Sequence, residues 1–153
     1  MSRLRQDRRG LTLIEMMAVT AIIGVLSTIA IPSVQQAILR AKVARAIGDI
    51  RAIQNDLDAL DSLPATLDEI GRGALRDPWD HAYQYLPFPT DPSNPPPPGN
   101  ARSDRFGVPV NTRYDLYSMG PDGASAGPLT SGVSLDDVVR AADGGYIGSA
   151  SKY

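Results

Sequence analysis

A continuous apolar segment close to the first residue constrains this chain more than any other feature. Residues 11–31 read LTLIEMMAVTAIIGVLSTIAI and contain one charged side chain, Glu15. A helix of about 20 apolar residues is long enough to cross the hydrocarbon core of a bilayer. The segment therefore predicts a membrane-spanning helix, and it leaves residues 32–153 for structure outside the membrane.

The charges around this segment predict its orientation. Residues 1–10 hold four arginines and one aspartate, whereas the basic residues on the other side begin at Arg40. The end with the denser positive charge stays in the cytoplasm. The apolar run is longer than the roughly 7–15 residues of a secretory signal peptide, and the residues up to Pro32 make a poor cleavage site. A plain uncleaved anchor is the alternative.

The chain continues into a second helical pattern over residues 33–61. An unbroken helix over residues 11–61 would be about 75 Å long. Beyond it, Thr66 and Glu69 have the spacing of a capping box, which predicts a short helix from Leu67. The apolar positions recur at spacings of three and four, which places them on one stripe that a small sheet can cover: Val34, Ile38, Ala41, Ala44, Ile47, Ile50, Ile53, Leu57 and Leu60.

The remaining residues predict a small antiparallel sheet. Alternating side chains indicate strands within residues 82–88 and 110–119. Residues 87–99 are rich in proline and predict an extended, solvated loop. Residues 135–142 predict a brief helix or an irregular tail. The predicted fold class is α+β, with one long N-terminal helix packed on the sheet and a long C-terminal loop.

Composition excludes several kinds of protein. The chain has 153 residues, a length for one domain, with 42% hydrophobic and 21% charged residues. A net charge of −2 does not suggest nucleic-acid binding, which needs a basic face, and the absence of cysteine excludes disulfides and thiolate metal sites. A lone His81 beside aspartates and serines does not predict a catalytic triad, because no nucleophile motif or oxyanion turn accompanies it. We predict no enzymatic activity.

The junction at residues 8–15 carries a specific motif, RRG-LTLIE. A basic leader, Gly10, an apolar residue and a glutamate fifth from the glycine resemble the prepilin leader of type IV pilins and type II secretion pseudopilins. The resemblance implies that a prepilin peptidase cuts after Gly10 and methylates the new N-terminus at Leu11. The apolar segment would then stay attached as an assembly element.

Three residues within the apolar helix are candidate assembly residues. An ionisable side chain inside a membrane span is costly and by default functional, so Glu15 is predicted to pair with the free amine of Leu11 on a neighbouring subunit. A glutamate placed by chance near the interface is the alternative. Gly24 and Pro32 each weaken a helix, and the resemblance implies that the stretch between them unwinds in a filament. Simple tolerance of both residues in a membrane helix is the other possibility.

Two later segments narrow the resemblance. Residues 77–85 contain DPW followed by YQY, and residues 114–123 read YDLYSMGPDG. These segments resemble the major pseudopilin of type II secretion, which typically reads DPWG, a strand and then YDLYSLGADG. The chain differs in having Asp80 after the tryptophan, a proline-rich loop, a long loop after Gly123 and no terminal tryptophan.

The resemblance implies a structural role and a location. It divides the chain into a leader at 1–10, an assembly helix at 11–31, its extramembrane continuation at 32–62 and a periplasmic domain at 63–153. Subunits would form a homo-oligomeric pseudopilus anchored in the inner membrane, with minor pseudopilins and an inner-membrane assembly platform as partners. The filament would drive protein export across the outer membrane. A type IV pilus subunit and a membrane-anchored enzyme or binding domain are the alternatives.

The C-terminal loop carries a predicted calcium site. The turn at Asp122 can direct its carboxylate and the Met119 carbonyl into one hollow, and Asp136 and Asp137 return at the far end of the loop. Carboxylates and carbonyls suit Ca²⁺, which takes six to eight oxygen ligands. The resemblance supplies the reason for grouping these residues. A turn aspartate and a solvated helix cap are the alternative.

Overall fold

The computed structural model describes residues 11–89 and 99–153, in two compact units that divide after Leu39. The predicted leader at 1–10 and the run of prolines within 90–98 lie outside the described residues. The second unit begins at Arg40, inside the segment predicted as the extramembrane continuation of the helix.

Helix α1 extends over Leu13–Asp58 and is the long helix predicted from the sequence. Its first part is long and apolar enough to cross a membrane. In the first unit its large apolar side chains are exposed: Leu13, Ile14, Met16, Met17, Val19, Ile22, Ile23, Val25, Leu26, Ile29, Ile31, Val34, Ile38 and Leu39. Helical residues that are apolar on all sides require an apolar environment.

The second unit contains a four-stranded antiparallel sheet in the order β1-β2-β3-β4. Strand β1 is Gln84–Pro87, β2 is Tyr114–Ser118, β3 is Val138–Ala141 and β4 is Tyr146–Ser149. The strands predicted within residues 82–88 and 110–119 are confirmed, although both are shorter than the alternation indicated. The α+β fold with a small antiparallel sheet is confirmed.

The prediction of a helix or irregular tail over residues 135–142 is wrong, because four of these residues form β3. All four side chains of β3 are buried. A strand covered on both faces has no alternation of apolar and polar residues, so its pattern is VVRA and not a period of two. Strand β4, which pairs with β3 from Tyr146 to Ser149, was not predicted at all.

The main core lies between the second part of α1 and one face of the sheet. The helix contributes Ala46, Ile50, Ile53 and Leu57, and the rest of the unit contributes Leu67, Tyr83, Tyr114, Leu116 and Val138. Of the predicted stripe, Ile50, Ile53 and Leu57 are buried, whereas its last member, Leu60, is exposed. Its earlier members Val34 and Ile38 are more than half exposed.

Irregular segments cover the opposite face of the sheet. Val110, Leu129 and Ala150 pack there against Val139 and Ala141 of β3. Tyr117 of β2 and Tyr146 of β4 are packed partly against this second cluster. Described residues of the loops after β1 and β2 thus contribute to a second core.

Buried Arg140 of β3 links the helix to the sheet. Its Nε donates to Gln54 Oε1 of α1 at 3.2 Å, and its Nη1 donates to Asn111 Oδ1 at 3.1 Å. The guanidinium carbon also lies 4.1 Å from the centre of the Tyr114 ring. A buried guanidinium is tolerated when hydrogen bonds and an aromatic face replace its hydration.

A 3₁₀ turn at Leu67–Ile70 occupies the position of the predicted short helix. The capping box predicted there does not form, because the Thr66 side chain makes no capping hydrogen bond. Glu69 Oε1 instead accepts from the backbone N–H of Ala65 at 3.1 Å. The glutamate therefore satisfies one free donor of the turn without help from the threonine.

We expect Ile50→Ala to destabilise the second unit by about 2–5 kcal/mol, because it opens a cavity beneath the sheet. The matched control is Ile38→Ala, which removes the same atoms from an exposed position and should change stability by less than about 0.5 kcal/mol. Fluorescence of Trp79, the single tryptophan, reports unfolding of this unit in the full-length chain in detergent. Equal melting temperatures for the two variants would contradict the assignment of the core.

Candidate functional site

The N-terminus of α1 is closed by a capping box that joins Thr12 and Glu15. The backbone N–H and the hydroxyl of Thr12 donate to Glu15 Oε2 at 2.7 and 2.8 Å. The backbone N–H of Glu15 is 3.3 Å from Thr12 Oγ1, which accepts in return. This reciprocal pair satisfies two of the donors left free at a helix start.

Sequence analysis assigned Glu15 to assembly and missed this local role. The signal was present, because Thr12 and Glu15 have the T-x-x-E spacing of a capping box. Both side chains are exposed, and the described contacts of the carboxylate use Oε2. Gly10 lies outside the described residues, and Leu11 is exposed at the start of the described chain. The predicted cleavage, methylation and pairing stay predictions.

Gly24 and Pro32 both lie within α1, which continues through them as helix. Pro32 has no N–H to give to the carbonyl of Thr28 one turn earlier. Near this point the Ser27 hydroxyl donates to the Ile23 carbonyl at 2.7 Å. A side chain at position 24 would meet nothing within 4 Å. The isolated subunit is therefore helical between these residues, and unwinding in a filament stays a prediction.

Asp77 organises the turn that precedes β1. Its Oδ1 accepts from the backbone N–H groups of Trp79 and His81 at 3.0 and 2.8 Å, and its Oδ2 accepts from the Ser118 hydroxyl at 2.5 Å. Asp77 and Ser118 are buried. One carboxylate thus joins the Asp77 turn to the end of β2.

His81 joins this turn to the segment that follows β2. Its Nδ1 lies 3.1 Å from the carbonyl oxygen of Gly120, so Nδ1 carries the hydrogen and donates. The Ser118 hydroxyl donates to Asp77 and not to the imidazole. His81 thus joins residues 77–85 to residues 114–123, the two segments that resemble the major pseudopilin. The sequence did not predict this contact, because the segments lie far apart along the chain.

Asp80 occupies a left-handed backbone conformation, with φ of 73°. Side chains with a Cβ are strained in this region, and glycine is not. This geometry explains why glycine is usual after the tryptophan in the resembling sequences. Aspartate is one of the few other residues that tolerate the conformation.

The structure brings some of the predicted calcium ligands together. Asp136 lies against Gly120, the residue after Met119, since a Cβ added at Gly120 would be 2.6 Å from the Asp136 carbonyl oxygen. Gly120 also has a φ of 65°, so both the left-handed backbone and the lack of space for a side chain favour glycine there. Asp122 is exposed, and its Oδ1 accepts from the backbone N–H of Ala124 at 2.8 Å.

Asp137 is fully buried and has a different partner, the guanidinium of Arg102. The Ser125 hydroxyl donates to Asp137 Oδ2 at 2.6 Å. Burial raises the pKa of the Asp137 carboxyl to about 6, while Ser125 and Arg102 favour its ionised form. At neutral pH the carboxylate is therefore charged and Arg102 is its counter-ion.

These contacts do not fit the predicted four-ligand set. In the part of the chain that the structure describes, no three His, Cys, Asp or Glu side chains are placed to hold a metal ion. One of the predicted carboxylates is occupied by an arginine that sequence analysis did not associate with the loop. Calcium binding stays a prediction that a binding measurement has to decide.

Known proteins resemble the chain over both its helix and its sheet. Residues 5–31 match the family model described as the prokaryotic N-terminal methylation motif. The type II secretion system core protein G of Pseudomonas aeruginosa is 31% identical over 148 residues, which cover 80% of this chain and 90% of that protein. The chain belongs to the core protein G family. The family member from Dickeya chrysanthemi is 31% identical over 132 residues, covering 78% of this chain and 82% of its own.

Similarity to pilins is confined to a shorter part of the chain. A fimbrial protein of Pseudomonas aeruginosa is 47% identical over 47 residues, which cover 31% of this chain and 30% of the fimbrial protein. No solved structure matches the chain. The similarity to core protein G thus extends over much more of the chain than the similarity to this fimbrial protein.

We expect Asp80→Val to lower stability by about 1–2 kcal/mol, because a β-branched residue is strained at positive φ. Asp80→Gly, the residue usual in the family, should be at least as stable as the wild type. Melting of the full-length chain in detergent, followed by Trp79 fluorescence, measures both. A stable Asp80→Val protein with a destabilised Asp80→Gly protein would contradict the left-handed assignment.

Proposed function

We propose that the chain is a structural subunit of a type II secretion pseudopilus. The observation that supports this most strongly is its similarity to core protein G of type II secretion, which extends over 80% of the chain. The fimbrial match covers only 31%. A pilus subunit is therefore the weaker alternative.

The first part of α1 supplies the physical basis of assembly. Its apolar side chains are exposed on every side of the helix, and such a surface is stable only in lipid or against other apolar surfaces. In the inner membrane, lipid covers it. In a filament, the equivalent segments of neighbouring subunits cover it, so a subunit can leave the bilayer without exposing this surface to water.

Glu15 is proposed to fix the register between neighbouring helices. After cleavage behind Gly10, the amine of Leu11 carries a positive charge that needs a partner in an apolar filament core. The Glu15 carboxylate accepts from Thr12 through Oε2, and the same carboxylate can also pair with the amine of a neighbouring subunit. Pairing of the two charges offsets the cost of removing both from water.

The role is mechanical, and no catalytic step is assigned to the chain. Growth of the filament from the inner membrane would push exported proteins through an outer-membrane channel. The proposed partners are other copies of the chain, the prepilin peptidase, minor pseudopilins and the inner-membrane assembly platform. The proposed topology places residues 1–10 in the cytoplasm and the sheet domain in the periplasm.

A complementation experiment tests both processing and function. In cells that lack the gene, the wild-type chain should restore protein export and yield a mature chain that starts at methylated Leu11. Gly10→Val should remain uncut, because a branched side chain crowds the peptidase, and export should fail. Mass spectrometry of the membrane fraction and the proteins of the culture medium are the two readouts. Normal export in the deletion strain together with lost surface pili would contradict the secretion role.

Substitutions at Glu15 separate the capping role from the charge. Glu15→Gln keeps a side chain that can cap Thr12 but removes the charge, so assembly should be lost while cleavage continues. Thr12→Val weakens the cap and keeps the charge, so it should assemble. Cross-linking of the mature chain in membranes measures assembly. Filaments from Glu15→Gln in normal amounts would refute the charge pairing.

A further inference from the structure

The buried Arg102 has a structural role that does not depend on the proposed secretion function. Arg102 lies in the loop between β1 and β2, and its side chain is 3% exposed. A buried guanidinium remains charged, so the fold has to supply its acceptors. The acceptors come from the segment between β2 and β3, which contains the predicted calcium ligands.

The guanidinium is surrounded by oxygen acceptors. Its Nη1 donates to Ser125 Oγ and to the Ala126 carbonyl oxygen, both at 2.5 Å, and its Nη2 pairs with the Asp137 carboxylate. A hydroxyl, a backbone carbonyl and a carboxylate are the ligand types that Ca²⁺ takes. The planar, permanently charged guanidinium binds them through directed N–H donors instead.

Further contacts fix Arg102 itself in the second core. Its guanidinium carbon lies 4.1 Å from the centre of the Tyr117 ring in β2. Its backbone N–H donates to Asp115 Oδ2 at 2.6 Å, and its carbonyl accepts from Val110 at 2.9 Å. Hydrogen bonds to both its backbone N–H and its carbonyl therefore fix the position from which the Arg102 side chain reaches the second core.

The cluster also fastens the long loop around its acceptors. Ser134 Oγ accepts from the Ala126 N–H at 2.9 Å and donates to the Ala126 carbonyl at 3.0 Å. The backbone of Asp137 bonds to Ser134 and to Ala150. One arginine thus joins the β1–β2 loop to the β2–β3 loop as far as Asp137, the residue before β3.

We propose that Arg102 is a built-in cation that replaces bound calcium in this subunit, so that the loop folds without a metal ion. The guanidinium neutralises Asp137 and collects the oxygens that would otherwise need an external cation.

Two polar atoms of the Arg102–Asp137 pair remain unsatisfied within the described part of the chain, and one of them could contact a metal ion. Arg102 Nε and Asp137 Oδ1 are buried with no hydrogen-bond partner among the described residues. The free carboxylate oxygen is the feature that a calcium ion would use if one bound beside the arginine. A comparison of the wild type with and without calcium is therefore the first measurement.

The full-length chain in detergent is melted in calcium and in a chelator, with Trp79 fluorescence as the readout. We expect the same melting temperature in both. An ion present at roughly a hundredfold over its dissociation constant would raise the melting temperature of a domain this size by roughly 10 °C. A rise of that order would overturn the proposal.

Removal of the guanidinium is the second measurement. Arg102→Met leaves Asp137 charged and buried without a partner, and the melting temperature should fall by roughly 10 °C or more. The matched control is Arg105→Met, an exposed arginine three residues later in the same loop, with an expected change of less than about 4 °C. Equal changes in the two variants would overturn the proposal.

A double-mutant cycle distinguishes a counter-ion from a residue that only fills space. If Arg102 neutralises Asp137, the loss in Arg102→Met/Asp137→Asn is smaller than the sum of the losses in the single variants. Additive losses would contradict the pairing. If Arg102→Met gives no folded protein, Arg102→Lys replaces it in the cycle, because lysine keeps the charge and loses the directed fork.

Discussion

The structure depends on the different surroundings that the two parts of α1 require. The first part is apolar on every side, whereas the second presents one buried stripe to the sheet. Burial of Ala46, Ile50, Ile53 and Leu57 gives the sheet domain its main core. The exposed first part leaves an apolar surface that requires an apolar environment.

Charged and polar cross-links organise the segments that contain little regular structure. Asp77 and His81 join the turn before β1 to the end of β2, Arg140 joins β3 to α1, and Arg102 joins the two long loops. Each link is made by a side chain with several donors or acceptors directed at backbone or buried groups. Such links are strong only where all partners are preorganised, which explains how a small sheet holds long irregular loops in place.

Much of the fold followed from periodicity and length. The apolar segment, the later stripe and the alternation around Tyr85 and Tyr114 predicted the helix and two of the strands. Strands β3 and β4 were not predicted, because β3 is buried on both faces and lacks a period of two. The T-x-x-E spacing of Thr12 and Glu15 could have predicted the cap. Glu15 was assigned to assembly instead, because a charged side chain in a membrane span is costly.

The sequence by itself determined the membrane-type helix, the α+β class and the resemblance to pseudopilins. All three depend on residues that are adjacent or regularly spaced along the chain. The tertiary structure alone decided that Asp137 is neutralised by Arg102, 35 residues earlier, and that His81 belongs with Gly120. Partners so distant in sequence are selected by the packing of the loops against the sheet, and no local pattern encodes which arginine reaches which carboxylate.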